Sequence, residues 1–284
     1  MKDNFFSEDE KIIFYNSLDK SILDHKNIRP KILVFDSGIG GLSVSKHLEE
    51  FFDYADIIYI ADNEFFPYGG KDKKILTGRI TKLIIQAINI FDPIGLVVAC
   101  NTASTLLSDE FIRSLNIPCM RVLPPIQEAF DLSLTKNVLL IATPNTIESE
   151  YVKIESDKIV NKEYIFHKLG VAELVKLAEK KSRNELVTLE DITKVILKEL
   201  SQEELAEVDV VILGCTHFPS LQEELKEILF NVKYWIDPAY NIVNQLHQIL
   251  QRDLSISSKG KYLFYTSTLK DDSFHIPYFN NGFQ

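Results

Sequence analysis

A chain of 284 residues, 45% hydrophobic and 25% charged, has room for one large domain or two modest ones and the balance of an ordinary globular protein. Its 31 basic and 41 acidic residues give a net charge of −10 with no concentrated basic stripe, which argues against a nucleic-acid partner. No apolar run approaches the roughly 20 residues that span a bilayer, and the opening MKDNFFSEDEKIIFYNSLDK lacks a signal peptide's apolar stretch, so a cytoplasmic protein with no membrane partner is expected.

Residues 1–30 carry charges and scattered aromatics and read as an N-terminal extension ahead of Pro30. From there apolar runs of strand length alternate with helical spacing. KILVFD (31–36), DIIYIA (56–61), IGLVVA (94–99) and IPCMRV (117–122) suit buried parallel strands. Between them, 42–52 has helical periodicity, and Ile75, Ile80, Leu83, Ile84, Ala87 and Ile88 mark one helix face. A second series follows: strands NVLLIA (137–142), YIFHKL (164–169) and VDVVILG (208–214), with helices over 171–181, 189–205 and 219–230. YWI (234–236), a helix near 239–251 and a strand KYLFYT (261–266) close the pattern. Strands alternating with helices predict a parallel α/β architecture.

Three widely spaced cysteines, Cys100, Cys119 and Cys215, form neither a disulfide framework nor a CxxC metal pattern. The six histidines are scattered, so no metal site is expected. One long-range echo stands out. VVACNTAS and VILGCTHFPS share a grammar: an apolar strand, a small residue, a cysteine, then hydroxyl, amide or imidazole side chains opening a helix. A free thiol is most often a small buried hydrophobe, and Cys119, mid-strand, keeps that reading. Cys100 and Cys215 differ because they follow the strand core, where ligands bind in open α/β sheets. A helix N-terminus beside each should lower the thiol's pKa and favour thiolate. Asp36 and Ser37, ending the first strand in FDSGIGGLS (35–43), would face the same cleft, although Ser37 also suits a helix cap. That glycine-rich turn lacks both GxGxxG and the P-loop ending, which disfavours a phosphate site. FFPYGG (65–70) is a turn whose Tyr68 could simply pack or could offer polar groups to a ligand.

In order and spacing, FDSGIGGLSV, PYGG, VVACNTAS and LGCTHFP closely resemble the glutamate racemases of the aspartate/glutamate racemase superfamily; weaker matches VLPPIQEA, IATPNTIESEY and ELVKLAEKK extend the likeness over residues 31 to 267. The resemblance implies two pseudo-symmetric α/β domains with mainly parallel sheets flanked by helices and an active site in the interdomain cleft. Residues 31–124 plus 238–284 would form the first domain and 125–237 the second. It also implies that Cys100 and Cys215 are the two proton donor/acceptors, with Cys100 deprotonating D-glutamate and Cys215 L-glutamate, and that Asp36 and His217 assist. Substrate contacts would come from Asp36, Ser37, Tyr68, Gly69, Asn101, Thr102, Thr146, Thr216 and His217, while Glu179 aligns with a family glutamate near the site. Three features depart from the family pattern: the extension over residues 1–30, Gly70, where relatives commonly carry glutamate, and the charged central region over 155–205.

Such an enzyme would interconvert D- and L-glutamate without cofactor or metal, feed D-glutamate to peptidoglycan and hence to cell-wall biogenesis and cell shape, and often pair as a homodimer. Inversion at a carbon needs a base on each face, which two opposed cysteines supply. The competing readings are an aspartate racemase or related cysteine-pair isomerase, a non-catalytic amino-acid-binding module, and a thiol redox sensor.

Overall fold

The computed structural model describes residues 29–159, 163–250, 260–266 and 276–283; the expected extension over 1–30 lies outside them except for Arg29 and Pro30. The strands in chain order are β1 (Lys31–Asp36), β2 (Asp56–Ala61), β3 (Gly95–Val98), β4 (Cys119–Arg121), β5 (Asn137–Ala142), β6 (Ile165–Gly170), β7 (Val210–Gly214), β8 (Tyr234–Ile236) and β9 (Lys261–Tyr265). They form a five-stranded sheet in the order β4-β3-β1-β2-β9 and a four-stranded sheet in the order β6-β5-β7-β8. Every pairing is parallel. Parallel strands are covered on both faces, which is why β1, β2, β5 and β7 read as near-continuous apolar runs.

The two windings match strand for strand: β2-β1-β3-β4 in the first sheet repeats as β6-β5-β7-β8 in the second. In each, the chain leaves the first strand in one direction, then returns to build on its other side. The resulting switch points lie between β1 and β3 and between β5 and β7, and crevices open there at the carboxyl ends. Cys100 follows β3 and Cys215 follows β7, so the echo heard in the sequence is a repeated position in a repeated winding.

Each sheet carries a hydrophobic core on both faces. Helices Leu42–Phe51 and Ala239–Ile249 cover one face of the five-stranded sheet, joined by Tyr278 and Phe283. Helix Lys73–Phe91 covers the other. Its buried stripe is Leu76, Ile80, Leu83, Ile84, Ala87 and Phe91. The sequence reading placed Ile75 on that stripe, but Ile75 is 61% exposed and Leu76 is buried instead. Leu76 stands four residues before Ile80 and so shares its face, whereas Ile75 stands five before it. Asp72 caps the helix by accepting from the Ile75 N–H at 2.8 Å. Asp92 ends it in the left-handed region at φ 47°, just before Pro93.

Two of the expected helices are interrupted or shortened. The expected helix over 189–205 is two, Leu189–Leu197 and Gln202–Ala206, because Ser201 and Glu204 form a capping box that starts a new helix. The stretch after Cys215 begins as a 3₁₀ turn, Phe218–Leu221, with Pro219 in its first positions, and becomes α-helical only over Gln222–Ile228.

Candidate active site

Four segments leave the carboxyl ends of the central strands: Asp36–Gly41 after β1, Cys100–Thr102 after β3, Thr143–Thr146 after β5 and Cys215–His217 after β7. Side-chain contacts join them. Asp36 is fully buried; its Oδ1 accepts the Gly38 N–H at 2.9 Å and its Oδ2 accepts the Thr216 hydroxyl at 3.1 Å. Its neighbour Ser37 has its Oγ 3.8 Å from Cys100 Sγ. Two consecutive residues at the end of β1 therefore touch both cysteine motifs, one from each sheet. The halves approach so closely that a Cβ on Gly40 would lie 2.3 Å from Thr216 Oγ1 and 2.6 Å from His217 Nδ1. Only glycine fits there.

Cys215 Sγ lies 3.7 Å from His217 Nδ1, and His217 Nε2 lies 2.9 Å from Glu179 Oε1. Glu179, on helix Glu173–Ser182, is buried; its Oε1 also accepts the Ile39 N–H at 3.4 Å and its Oε2 accepts from Arg183 at 3.3 Å. Burial pulls the His217 pKa down, but its contacts with Cys215 and Glu179 outweigh that and leave it well above the ordinary histidine value. Both ring nitrogens are therefore engaged, one against the sulfur and the other against the carboxylate. The Phe66 ring packs 5.8 Å from it. Asp36 behaves oppositely to a surface aspartate: burial raises its pKa against the lowering effect of His217, the Gly38 N–H and Thr216.

The expectation that a helix N-terminus lowers the thiol pKa fails at Cys100. Burial, then the neighbouring Asp36 carboxylate, pushes this thiol far up, against smaller opposing contributions from the Ala103 N–H and Ser37. The helix it opens, Asn101–Leu106, is only 6 residues long, and a buried acid beside the sulfur overrides it. Cys119 sits on β4, partly buried and outside these contacts, its thiol pushed up to about 12 by burial. It keeps the packing role read from the sequence.

The remaining residues define the walls. Asn101 donates its amide to the Val122 carbonyl at 3.0 Å, while its buried Oδ1 has no partner. The hydroxyls of Thr102, Thr143 and Thr146 form a triad at 2.8, 3.1 and 3.3 Å across the two halves. Thr143 was absent from the sequence reading, although it occupies after β5 the place Ser37 holds after β1, and extending the cysteine echo to the first strand of each half would have found it. A Cβ on Gly69 would come within 2.7 Å of Thr143, so the 68–70 turn lies against this triad. The Tyr68 phenol is not free for a ligand: it donates to Asp62 at 2.6 Å and is buried. Asp62, itself fully buried, also accepts from Arg79 at 2.6 and 2.7 Å and from Thr266 at 2.6 Å. Nothing local in the chain signals this cluster, since Arg79 reads as one more charge on an amphipathic helix. Among the described residues no group of three or more His, Cys, Asp or Glu could hold a metal ion, and no helix is long and apolar enough to cross a membrane.

Set beside known proteins, residues 77–246 match the family model for Asp/Glu/hydantoin racemases. A glutamate racemase of Histophilus somni is 39% identical over 255 residues, covering 87% of this chain and 91% of its own. One from Vibrio cholerae is 34% identical, covering 84% of this chain and 87% of its own. Among solved structures, Escherichia coli glutamate racemase in complex with L-glutamate and the activator UDP-MurNAc-Ala superposes with a TM-score of 0.78 at 31% identity, covering 90% of this chain and 96% of that one. The Francisella tularensis glutamate racemase bound to D-glutamate gives 0.68 at 27% identity, covering 88% and 93%. With two cysteine motifs converging on one aspartate between twin sheets, and with relatives alike over nearly their whole length, the chain belongs to the glutamate racemase family.

Proposed function

We propose that this chain interconverts L- and D-glutamate by a two-base mechanism in which Cys100 and Cys215 act on opposite faces of the α-carbon. One observation supports the reading: Asp36 and Ser37 link the two cysteine motifs at the paired switch points, so a small amino acid bound there would lie between the sulfurs. In one direction the Cys100 thiolate takes the α-proton from D-glutamate, the electron pair remains on the α-carbon and its carboxylate, and the Cys215 thiol delivers its proton to the other face. The roles exchange for L-glutamate.

The α-proton is far less acidic than a thiol, so a sulfur of high proton affinity is a fitting base once ionised. Burial supplies that affinity at Cys100. The substrate ammonium offsets the cost of the negative charges around it, accepted by Asp36 and by the unpaired Asn101 Oδ1. The hydroxyls of Thr102, Thr143 and Thr146, with the Gly69 N–H, would donate to the two carboxylates. On the other face the His217 ring, 3.7 Å from Cys215 Sγ, supports that sulfur whenever it carries charge. Glutamate as substrate agrees with the L- and D-glutamate complexes of similar enzymes. Supply of D-glutamate to peptidoglycan, a cytoplasmic location and pairing into a homodimer belong to the same reading.

Circular dichroism of purified protein with glutamate and with aspartate tests the substrate, and racemisation in deuterated water tests the bases. Glutamate turnover, deuterium placed at Cα of the product, and loss of turnover in both Cys100→Ser and Cys215→Ser are expected. Full activity in either variant would sink the two-thiol scheme.

A further inference from the structure

The turn Tyr68–Gly70 belongs to the five-stranded half, but its backbone is held by the other half. Asn145, in the helical turn Pro144–Ile147 after β5, is buried and donates its side-chain amide to two carbonyls, Tyr68 O at 2.9 Å and Lys71 O at 2.9 Å. The two N–H groups of one planar amide diverge, and the carbonyls of residues three apart in a 3₁₀ turn present themselves to that fork. The Lys71 N–H closes the turn onto the Tyr68 carbonyl at 3.1 Å, so that oxygen uses both lone pairs and Asn145 completes it.

Tyr68 therefore has two handles. Its phenol is fixed to Asp62 within its own half at 2.6 Å, and its carbonyl is fixed to Asn145 of the opposite half. The first bond survives any separation of the halves; the second does not. A weaker outer strap runs parallel: Lys73 Nζ donates to the Glu148 carbonyl at 3.0 Å and reaches its carboxylate at 3.4 Å, in an exposed position. Gly69, within the turn, lies against Thr143 of the threonine triad, and both cysteines of the cleft are buried.

We propose that Asn145 is a positioning residue: its amide sets the Tyr68–Lys71 turn in its closed place over the cleft, so that closure of the halves and placement of the Gly69 N–H on substrate are one event. The proposal rests on the active-site reading above and deepens it. No proton passes through Asn145, and its loss leaves both cysteines, Asp36 and His217 in place.

The test uses thiol protection as well as kinetics. Wild type, Asn145→Ala and Asn145→Asp are alkylated with iodoacetamide without substrate, and modification at each cysteine is followed by peptide mass spectrometry. Cys119, outside the cleft, is the internal reference for loss of fold. Alkylation of Cys100 and Cys215 is expected to rise about tenfold in Asn145→Ala, the scale of two lost hydrogen bonds, with Cys119 unchanged. In Asn145→Asp, where a carboxylate faces two carbonyls, the rise is at least as large. KM for glutamate is expected to rise by about the same factor, while kcat changes by no more than about threefold. Should Asn145→Ala not fold, Lys73→Met, at an exposed site, gives a weaker rise of about twofold in the two cleft thiols. Unchanged protection, a parallel rise at Cys119, or a fall in kcat at constant KM overturns the proposal. Alkylation is read without turnover, so a protein that racemised nothing would defeat the functional reading and leave this one to stand or fall on the thiols.

Discussion

Replacing Arg79 by methionine isolates the charge that holds the Tyr68 turn from below. Methionine keeps an apolar stem over Phe65, whose ring centroid lies 4.0 Å from the guanidinium carbon, and removes the cation. The fully buried Asp62 then loses two charge-assisted bonds, 2.6 and 2.7 Å long, and keeps only the Tyr68 and Thr266 hydroxyls. Breaking one partner from a buried pair typically costs about 3–5 kcal/mol. The Arg79–Glu64 contact adds little, because Glu64 is half exposed. Asp62→Asn in the Arg79→Met background removes the stranded charge and should recover at least about 1 kcal/mol, a coupling that only a shared network produces. Urea unfolding is the assay, read by far-UV circular dichroism and by fluorescence of the single tryptophan. Trp235 lies on β8 of the four-stranded sheet, whereas Arg79 belongs to the five-stranded half, so non-coincident transitions would show the halves unfolding separately. A loss under about 1 kcal/mol, or no recovery in the double variant, would refute the idea that Arg79 neutralises a buried charge.

Other consequences follow from the site. Asp36→Asn should stabilise the protein by about 1–2 kcal/mol at pH 8 while abolishing most turnover, as relief of functional strain commonly does. Burial raises the folded pKa of Asp36, so wild type loses stability as pH rises from the ordinary carboxylate range through that raised value; the gain must shrink on acidification, and a pH-independent gain in calorimetry would contradict this. Glu179→Gln removes one of the contacts that raise His217, so the alkaline limb of the kcat–pH profile should move to lower pH; an unmoved limb would separate Glu179 from the titration. The stability that His217 contributes is full below its unfolded pKa and is lost as pH rises through the raised folded value, so the stability deficit of Glu179→Gln should be largest on the acid side. Gly40→Ala places a Cβ against Thr216 and His217 across the halves; binding of glutamate by calorimetry should weaken about tenfold or more, with thermal stability of the separate cores little changed.

Much of this was legible because apolar periodicity and strand-end position are local signals. β1, β2, β5 and β7 are continuous apolar runs, and the cysteine echo marks the same place in two windings. What escaped depends on contacts between segments far apart in the chain. Asp62 and Arg79 look like ordinary surface charges until β2 and the helix after the 68–70 turn bring them together. Thr143 and Asn145 read as turn residues after a strand, and only the approach of the opposite half gives their side chains partners. The thiol environment is hidden for the same reason. A helix N-terminus is visible in sequence, but the burial and the neighbouring Asp36 carboxylate that overrule it at Cys100 are not. Ile75 and Leu76 show the smaller error of helical phase.

The two windings are copies, yet the company kept by their sulfurs is not: Ser37 and Asp36 stand beside one, His217 and Glu179 beside the other. Enantiomers have equal free energies in water, so detailed balance obliges kcat/KM to be identical in the two directions however dissimilar the flanking groups. An enzyme built this way can express its lopsidedness only in matched pairs, a faster turnover from one hand of glutamate being cancelled by weaker saturation with it. Unequal neighbours thus set which enantiomer dwells longer on the protein, and leave untouched the equal mixture toward which it drives both.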